Sequence, residues 1–341
     1  MTSMERIGAL FTGAPIDRPP FTLTLSLYGA RLTGCSCASY YSNPDAYAEG
    51  QRAVVELCSP DIVFSPFALA LEAAAYGAML DFPEDGPPYL KKPAYKSIHG
   101  LVVPRPHSIS SSPHLSYLIK AAEKVVADQN GARPVAAPIV APVDLPILLL
   151  GLETWLDMLL FKPDEARLWG QLALDHFISL SKAYSDAGIN FVVTPVMLAN
   201  PLIVNPDIAR RTLLPVLSDA FAHARLPIVF HHGGNKLGQS LGMFRDLPNL
   251  LGFVLDERDS LVEARQQVGP DLLLLGNLNG PSIPYRSVDD IKRRTISILL
   301  DRNGDPKFIF ASAGADIPYG TGKEKLVALR DLLSGDPGSL P

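Results

Sequence analysis

Residues 227–235 read PIVFHHGGN. Four residues, Pro227 to Phe230, form a short apolar run of the kind that makes a buried strand. The run ends at once in His231, His232, Gly233, Gly234 and Asn235. Two imidazoles therefore sit at a strand's carboxyl end, beside glycines that let a ligand come close to the backbone. In a barrel of parallel strands that end is where sites are built.

Seven more short apolar runs can be placed around this one. They cover residues 21–25, 62–65, 135–143, 191–194, 251–255, 272–275 and 308–311. Helical segments separate most of them. Asn43, Pro44 and Asp45 open a helix over 46–57, and further helices are expected at 5–11, 68–76 and 114–130. Pro163, Asp164 and Glu165 start the clearest helix, which buries Ala166, Trp169, Ala173, Phe177, Leu180 and Tyr184 on one face and ends at Gly188. Helices at 207–225, 260–268 and 288–301 complete the alternation. Eight strands with intervening helices predict an α/β fold, one (β/α)8 TIM barrel spanning residues 1–341 with an amino-terminal helical extension. A doubly wound sheet with a second domain is the alternative, and no linker marks it. The stretch 81–113 is rich in Pro, Gly, Ser and Lys and reads as a long excursion with little regular structure, carrying His99 and His107.

Composition excludes several functions. A net charge of −5 and the absence of a long basic run argue against a nucleic-acid partner. The start, MTSMERIGALFTGAP, has no apolar signal core, and runs such as 145–152 are too short to span a membrane. Three cysteines in 341 residues make no disulfide framework, so a reducing, cytoplasmic setting is expected. Cys35 and Cys37 are spaced C-x-C, but no third or fourth soft ligand follows at a useful distance; they read as small apolar positions. No G-x-G-x-x-G, phosphate-loop or G-x-S-x-G motif occurs, which removes support for dinucleotide, ATP and serine-hydrolase chemistry.

The barrel reading fixes which residues crowd the strand ends. The fourth strand is followed by Pro195, Met197 and Asn200, the fifth by His231 and His232, and the sixth by Asp256 and Glu257. Asn277 and Asn279 follow the seventh; Ser312, Asp316 and Tyr319 follow the eighth. Such residues often do no more than cap the next helix, and Asp259, Ser260 and Ser287 are read that way. His231, His232, Asp256 and Asn277 are the expected catalytic group. An imidazole can act as acid, base or metal ligand, Asp256 can orient it, and Asn277 can hold substrate without changing charge. Met197, Asn200, Asn279, Asp316 and Tyr319 are the expected substrate contacts. His176 reads as a packed helix residue and His223 as a helix-end cation.

The segments RIGALFTGAPIDRPPF, TGCSCASYYSNPDAYAEGQ, LEAAAYGAMLDFPEDGPP, GLETWLDMLLFKPDEA, HHGGN, FVLDERDSLVEARQQVGPDLLLLGNLNG and ASAGADIPYGTGKEKLVAL follow one another in an order and spacing that resembles the uroporphyrinogen decarboxylase superfamily. Within it the chain is most similar to the corrinoid-dependent methyltransferases. The resemblance implies a (β/α)8 barrel with its site in a cleft at the strand carboxyl ends. It also implies methyl transfer between a small methyl donor or acceptor and a corrinoid (cobalamin) carried on a separate carrier protein, since this chain has no D-x-H-x-x-G motif of its own. Homodimers occur in the family.

The departures carry as much information. The relatives that use coenzyme M hold a thiol-activating zinc with a His-x-Cys pair after the fifth strand and a second cysteine after the eighth. Here His231 remains, while Gly233 and Ala315 stand at the cysteine positions. His231, Asp256 and Asp316 are then the residues that could form a harder zinc site, in a demethylase acting on a methoxy or methylamine donor. The decarboxylases grip their tetrapyrrole with an arginine pair and an aspartate. This chain offers only Arg31 in the first region and Ala68 at the aspartate position, which disfavours that substrate. A decarboxylase for a smaller substrate, with Arg31, Lys91 and Lys92 as its cations, is the second reading. A catalytically silent ligand-binding relative is the third.

Overall fold

The computed structural model describes residues 1–95, 103 and 109–335. Its strands are β1 (Phe21–Thr22), β2 (Val63–Phe64), β3 (Met79–Asp81), β4 (Tyr89–Lys92), β5 (Val135–Pro138), β6 (Phe191–Pro195), β7 (Ile228–His231), β8 (Leu250–Val254), β9 (Leu273–Asn279) and β10 (Phe308–Ala313). Eight of them form one parallel sheet in the order β1-β10-β9-β8-β7-β6-β5-β2. The first strand thus pairs with the last, Phe21 opposite Phe310. That order is a barrel and not a doubly wound sheet, and each of the eight expected strands occupies its place in it.

The seam between β1 and β2 is closed by side chains as much as by backbone. The Asp61 N–H donates to the Phe21 carbonyl (2.8 Å), and Thr22 Oγ1 donates to the Ile62 carbonyl (3.0 Å). The Asp61 carboxylate in turn accepts from the Phe21 N–H (2.9 Å), Ser3 Oγ (2.8 Å), Arg6 and Arg18 (2.7 Å). Asp61 is fully buried, so two guanidiniums and two neutral donors replace the water its charge gave up.

The helix Ser3–Thr12, opened by a Thr2–Glu5 capping box, lies under the same end of the barrel. Its Ile7 and Leu10 belong to the cluster that fills the barrel interior with Phe64, Ala136, Phe191, Val193, Val229, Val254, Leu275 and Ile309. These are alternate, inward-facing residues of successive strands, the packing that makes such a barrel solid. A second, larger cluster lies between the strands and the outer helices. There the helix Pro163–Asp186 buries the face expected of it. His176 in that helix is buried and bonded to Glu72 (2.9 Å) and Tyr76 (3.0 Å), which makes it a satisfied packing residue.

Differences from the sequence reading have local causes. β1 is shorter than 21–25 because the Thr24 N–H turns to Ser312 Oγ (2.8 Å) and leaves the ladder. β5 ends at Pro138, and residues 145–161, of which 145–152 read only as an apolar run, form helices Leu145–Leu150 and Leu152–Phe161 joined at Gly151, whose φ is 88°. The helix expected at 68–76 is reduced to Ala70–Ala74. The excursion has regular structure after all: β3 and β4 pair as an antiparallel hairpin at its start. His99 and His107 lie outside the described residues.

Two helices cross unusually closely. Tyr28–Thr33 and Pro44–Cys58 meet at Gly29 and Gly50, where a β-carbon added to Gly50 would lie 2.8 Å from the Gly29 carbonyl carbon and 2.6 Å from the Tyr40 ring.

Candidate functional site

At the carboxyl ends of β7 to β10 lies a cleft of about 390 Å³ lined by His232, Gly234, Asp256, Glu257, Arg258, Asn279 and the turn Ala313–Ala315. A larger cavity, about 510 Å³, is at the other end of the barrel, beside Leu10, Arg18 and Phe308, away from the expected catalytic residues. Position on the fold, not volume, decides between them, and the strand carboxyl ends favour the first.

His231 closes β7 and His232 follows it, their rings stacked with centroids 4.3 Å apart. Consecutive residues of a strand normally point to opposite faces, but the chain leaves the sheet here through Gly233, at φ 63°, and Gly234, at φ 94°. The His231 ring takes the Gly233 N–H on Nδ1 (3.1 Å), so its proton resides on Nε2, which donates to the Gly314 carbonyl (3.2 Å). His232 faces two N–H donors, Gly234 at Nδ1 and Gly314 at Nε2, each 3.1 Å away. A neutral imidazole has one free lone pair. The Asp256 carboxylate, 3.5 Å from Nδ1, favours the proton on that nitrogen and leaves Nε2 to accept from Gly314.

Both rings are neutral near pH 7. Burial pushes His231 down to about 3, with a further push from His232. Burial also lowers His232, against the pull of Asp256 and Asp259. Asp256 is held below its ordinary value: burial raises it, but the hydrogen bonds from Arg258 outweigh burial. Arg258 grips Asp256 through Nε (2.5 Å) and Nη2 (3.0 Å) and also donates to the Gly234 carbonyl (3.1 Å).

The other expected residues are placed as follows. Asn277 is buried and fully engaged: its amide donates to the carbonyls of Asp256 (2.9 Å) and Asp259 (3.0 Å), and its oxygen accepts from Arg294 (3.1 Å). It braces the loop after β8 and has no group left for a substrate. Asn200 is similar, tying Lys236 O (3.0 Å) to the Leu202 N–H (2.9 Å). Asn279 lines the cleft and donates to Glu257 (2.5 Å). Met197 and Tyr319 are half-buried, and the Tyr319 carbonyl accepts from Arg31.

Asp316 is buried on the far side of the Gly314 turn, where the Leu27 N–H reaches its carboxyl (3.2 Å). The expected zinc trio is therefore not gathered: the imidazole facing Asp256 belongs to His232, and Asp316 faces Leu27. Among the described residues no three His, Cys, Asp or Glu side chains are disposed to hold a metal ion, so the donor set does not fit zinc.

Burial pushes Asp316 up to about 7, the Leu27 and Ser26 N–H groups opposing it, against an ordinary value of 3.8. A folded pKa above the unfolded one means the folded state holds more protons between those values. Stability from this group is then full below the unfolded pKa and lost as pH rises through the folded one. Asp316→Asn should accordingly gain melting temperature relative to the parent between about pH 5 and pH 8, with little difference at the acid end. Equal melting temperatures of the two proteins across that range would refute this.

Two residues escaped the sequence reading. Asp144, after β5, is buried and accepts from the Met197 (2.7 Å) and Leu198 (2.8 Å) N–H groups; burial raises it to about 6. It reads in sequence like any helix-opening aspartate, so nothing marked it out. Arg258 lay in plain view in the run DERDS, but only the fold shows it clamped on Asp256.

A family model described as uroporphyrinogen decarboxylase (URO-D) matches residues 2–334. No curated protein sequence matches the chain. Among solved structures, a methyltransferase from Methanosarcina mazei superposes with a TM-score of 0.84 at 21% identity, covering 98% of each chain. A B12-independent methionine synthase from a Shewanella species superposes with a TM-score of 0.54 at 12% identity over 85% of each. Likeness at these identities concerns the fold. Among the described residues no helix is long and apolar enough to cross a membrane.

Proposed function

Because this chain belongs to the uroporphyrinogen decarboxylase (URO-D) family, we propose that it is a methyltransferase of the corrinoid-dependent branch, moving a methyl group between a small substrate and a corrinoid on a separate carrier protein. The observation that carries this reading is the state of the cations. Arg31 donates to the carbonyls of Tyr319 and Thr321 (2.6 Å), Arg258 to Asp256, and Arg286 to Glu257 (3.3 Å) and Ser282 (2.9 Å). Lys91 is exposed and pairs with Asp81. A substrate bearing several carboxylates needs unpaired cations to replace its water. Arg258 and Arg286 are already paired with carboxylates and Arg31 is held by two carbonyls, which weighs against both decarboxylase readings.

A cleft of about 390 Å³ suits a small molecule and is too narrow to enclose a corrinoid macrocycle, so the cofactor would approach from outside on its carrier. The corrinoid would supply the cobalt centre that exchanges the methyl. The chain's own share is positioning. Asn279 and Glu257 form one wall of the cleft. The Asp256–His232 pair supports another wall, His232 holding the Gly314 backbone through Nε2. Arg258 keeps Asp256 ionised, which holds the His232 proton on Nδ1.

The test mixes the purified protein with a reduced corrinoid carrier and a panel of methoxyarenes and methylamines. Methylation of the corrinoid, read from its visible spectrum, is the expected outcome. His232→Ala should slow it by about 10²-fold, the scale for misplacing the wall against which the reacting groups are held. Release of carbon dioxide from small carboxylic acids, without methyl transfer, would replace this reading by decarboxylation. Ligand binding with neither reaction would identify a silent relative.

A further inference from the structure

We infer that His231 and His232 form a latch on the backbone of Gly314, standing where the resembled methyltransferases carry a thiol-activating zinc, and that the space and lone pairs such a metal needs have been taken up by the protein itself. Space is the first argument. A β-carbon on Gly233, the cysteine position, would lie 2.5 Å from the Val196 oxygen, 2.6 Å from its carbonyl carbon and 2.8 Å from the Met197 nitrogen. Those are backbone atoms, and they are fixed. The Val196 N–H bonds to the His231 carbonyl (3.0 Å), and Asp144 holds the Met197 and Leu198 N–H groups. Gly233 also sits at φ 63°, where a side chain is strained whatever the room. The loop after β6 has closed over the position, so glycine there is a packing requirement and not simply a lost ligand.

Lone pairs are the second argument. A histidine ligand offers one ring nitrogen to the metal and commonly donates the other N–H to a neighbour. The His231 lone pair is on Nδ1 and takes the Gly233 N–H, while its Nε2–H goes to the Gly314 carbonyl. The His232 lone pair, on Nε2, takes the Gly314 N–H. The paired rings therefore grip one residue by both of its backbone groups, and no nitrogen is left over. Ala315, the other cysteine position, is exposed on the cleft wall, where among the described residues no three His, Cys, Asp or Glu side chains are disposed to hold a metal ion.

The latch joins the ends of β7 and β10, barrel strands that are not neighbours, and so fixes the Ala313–Ala315 turn that forms one wall of the cleft. Resting on the methyl-transfer reading above, a consequence for substrate class follows. With no zinc to hold it as thiolate, a thiol is not the methyl acceptor here, and the substrates carry oxygen- or nitrogen-bound methyl groups.

The experiment has three arms. Zinc is measured in the parent, in Ala315→Cys and in Gly233→Cys/Ala315→Cys after purification with zinc present. No stoichiometric zinc is expected in any of them, together with a lowered melting temperature in the double variant. One zinc per chain in the parent, or in a double variant that keeps its melting temperature, overturns the inference. Ala315→Cys keeps this arm informative should the double variant fail to fold.

Hydrogen exchange over residues 308–319 is then compared in the parent, His232→Ala and His231→Gln. Faster exchange at Gly314 is expected only in His232→Ala, because the glutamine amide can still donate to the Gly314 carbonyl and leaves His232 in place. Unchanged exchange in His232→Ala overturns the latch. Finally, a thiol and a methylamine are compared as methyl partners of the carrier-bound corrinoid. Transfer to the thiol alone overturns the substrate assignment. Failure of both would count against the methyl-transfer reading while leaving the zinc and exchange results to judge the latch.

Discussion

Asp61→Ala should leave the protein largely unfolded, or folded only at low temperature, in a urea titration that shows the parent cooperatively folded. Asp61 is the fully buried hub of the β1–β2 seam, and alanine removes every partner at once. Arg6 keeps Asp17 (2.6 Å), but Arg18 loses its carboxylate, and the buried Phe21 N–H loses its acceptor. Stripping one partner from a buried ion pair costs about 3–5 kcal/mol, because the remaining charge stays buried and uncompensated. Domains have only about 5–15 kcal/mol in all. Asp61→Asn preserves shape and one acceptor for the Phe21 N–H, and should fall between alanine and the parent. An alanine variant as stable as the parent would mean that the seam does not depend on this carboxylate.

Gly50→Ala should be the next most damaging of the small changes. The added carbon would meet the Gly29 backbone at 2.8 Å and the Tyr40 ring at 2.6 Å. Tyr40 cannot swing aside, since it is fully buried and its hydroxyl accepts from Gln51 (3.0 Å). Overpacking a core commonly costs about 1–3 kcal/mol, and a backbone-to-backbone collision belongs at the top of that range. The control is Gly170→Ala in the helix Pro163–Asp186, where nothing lies within 4 Å of the new carbon. Alanine there should gain about 0.5–1 kcal/mol, as expected for an exchange inside a helix. Opposite shifts in melting temperature from the same chemical change would locate the cause in the crossing. A shift of the same sign in both would remove it.

The barrel was legible because its strands are short apolar runs that stop at Pro, Gly, Asp or His, and that punctuation survives in sequence. What failed to show was whatever depended on partners far along the chain. Thr24 leaves the ladder for Ser312, and β3–β4 pair inside a stretch whose composition suggests a loop. At the site, the polar residues that follow the strands in sequence include His232, Asp256 and Asn279, which do line the cleft. They also include Asn277 and Asn200, whose amides are occupied by backbone. An asparagine looks the same in sequence whether it faces a ligand or a carbonyl. Glycine at 233 is plain in the sequence, while the carbonyl of Val196 that packs against it has no signature in any single residue.

The pairing of the first barrel strand with the last bears on how the chain is made. Until β10 leaves the ribosome, β1 has no neighbour on that side and β9 ends in an open edge. Asp61 lets β1 dock early, against a strand only some forty residues behind it. The opposite flank waits for a partner nearly three hundred residues away. A nascent or truncated chain ending before β10 therefore presents two unpaired parallel edges around an unfilled apolar interior, the condition in which chains aggregate or need a chaperone.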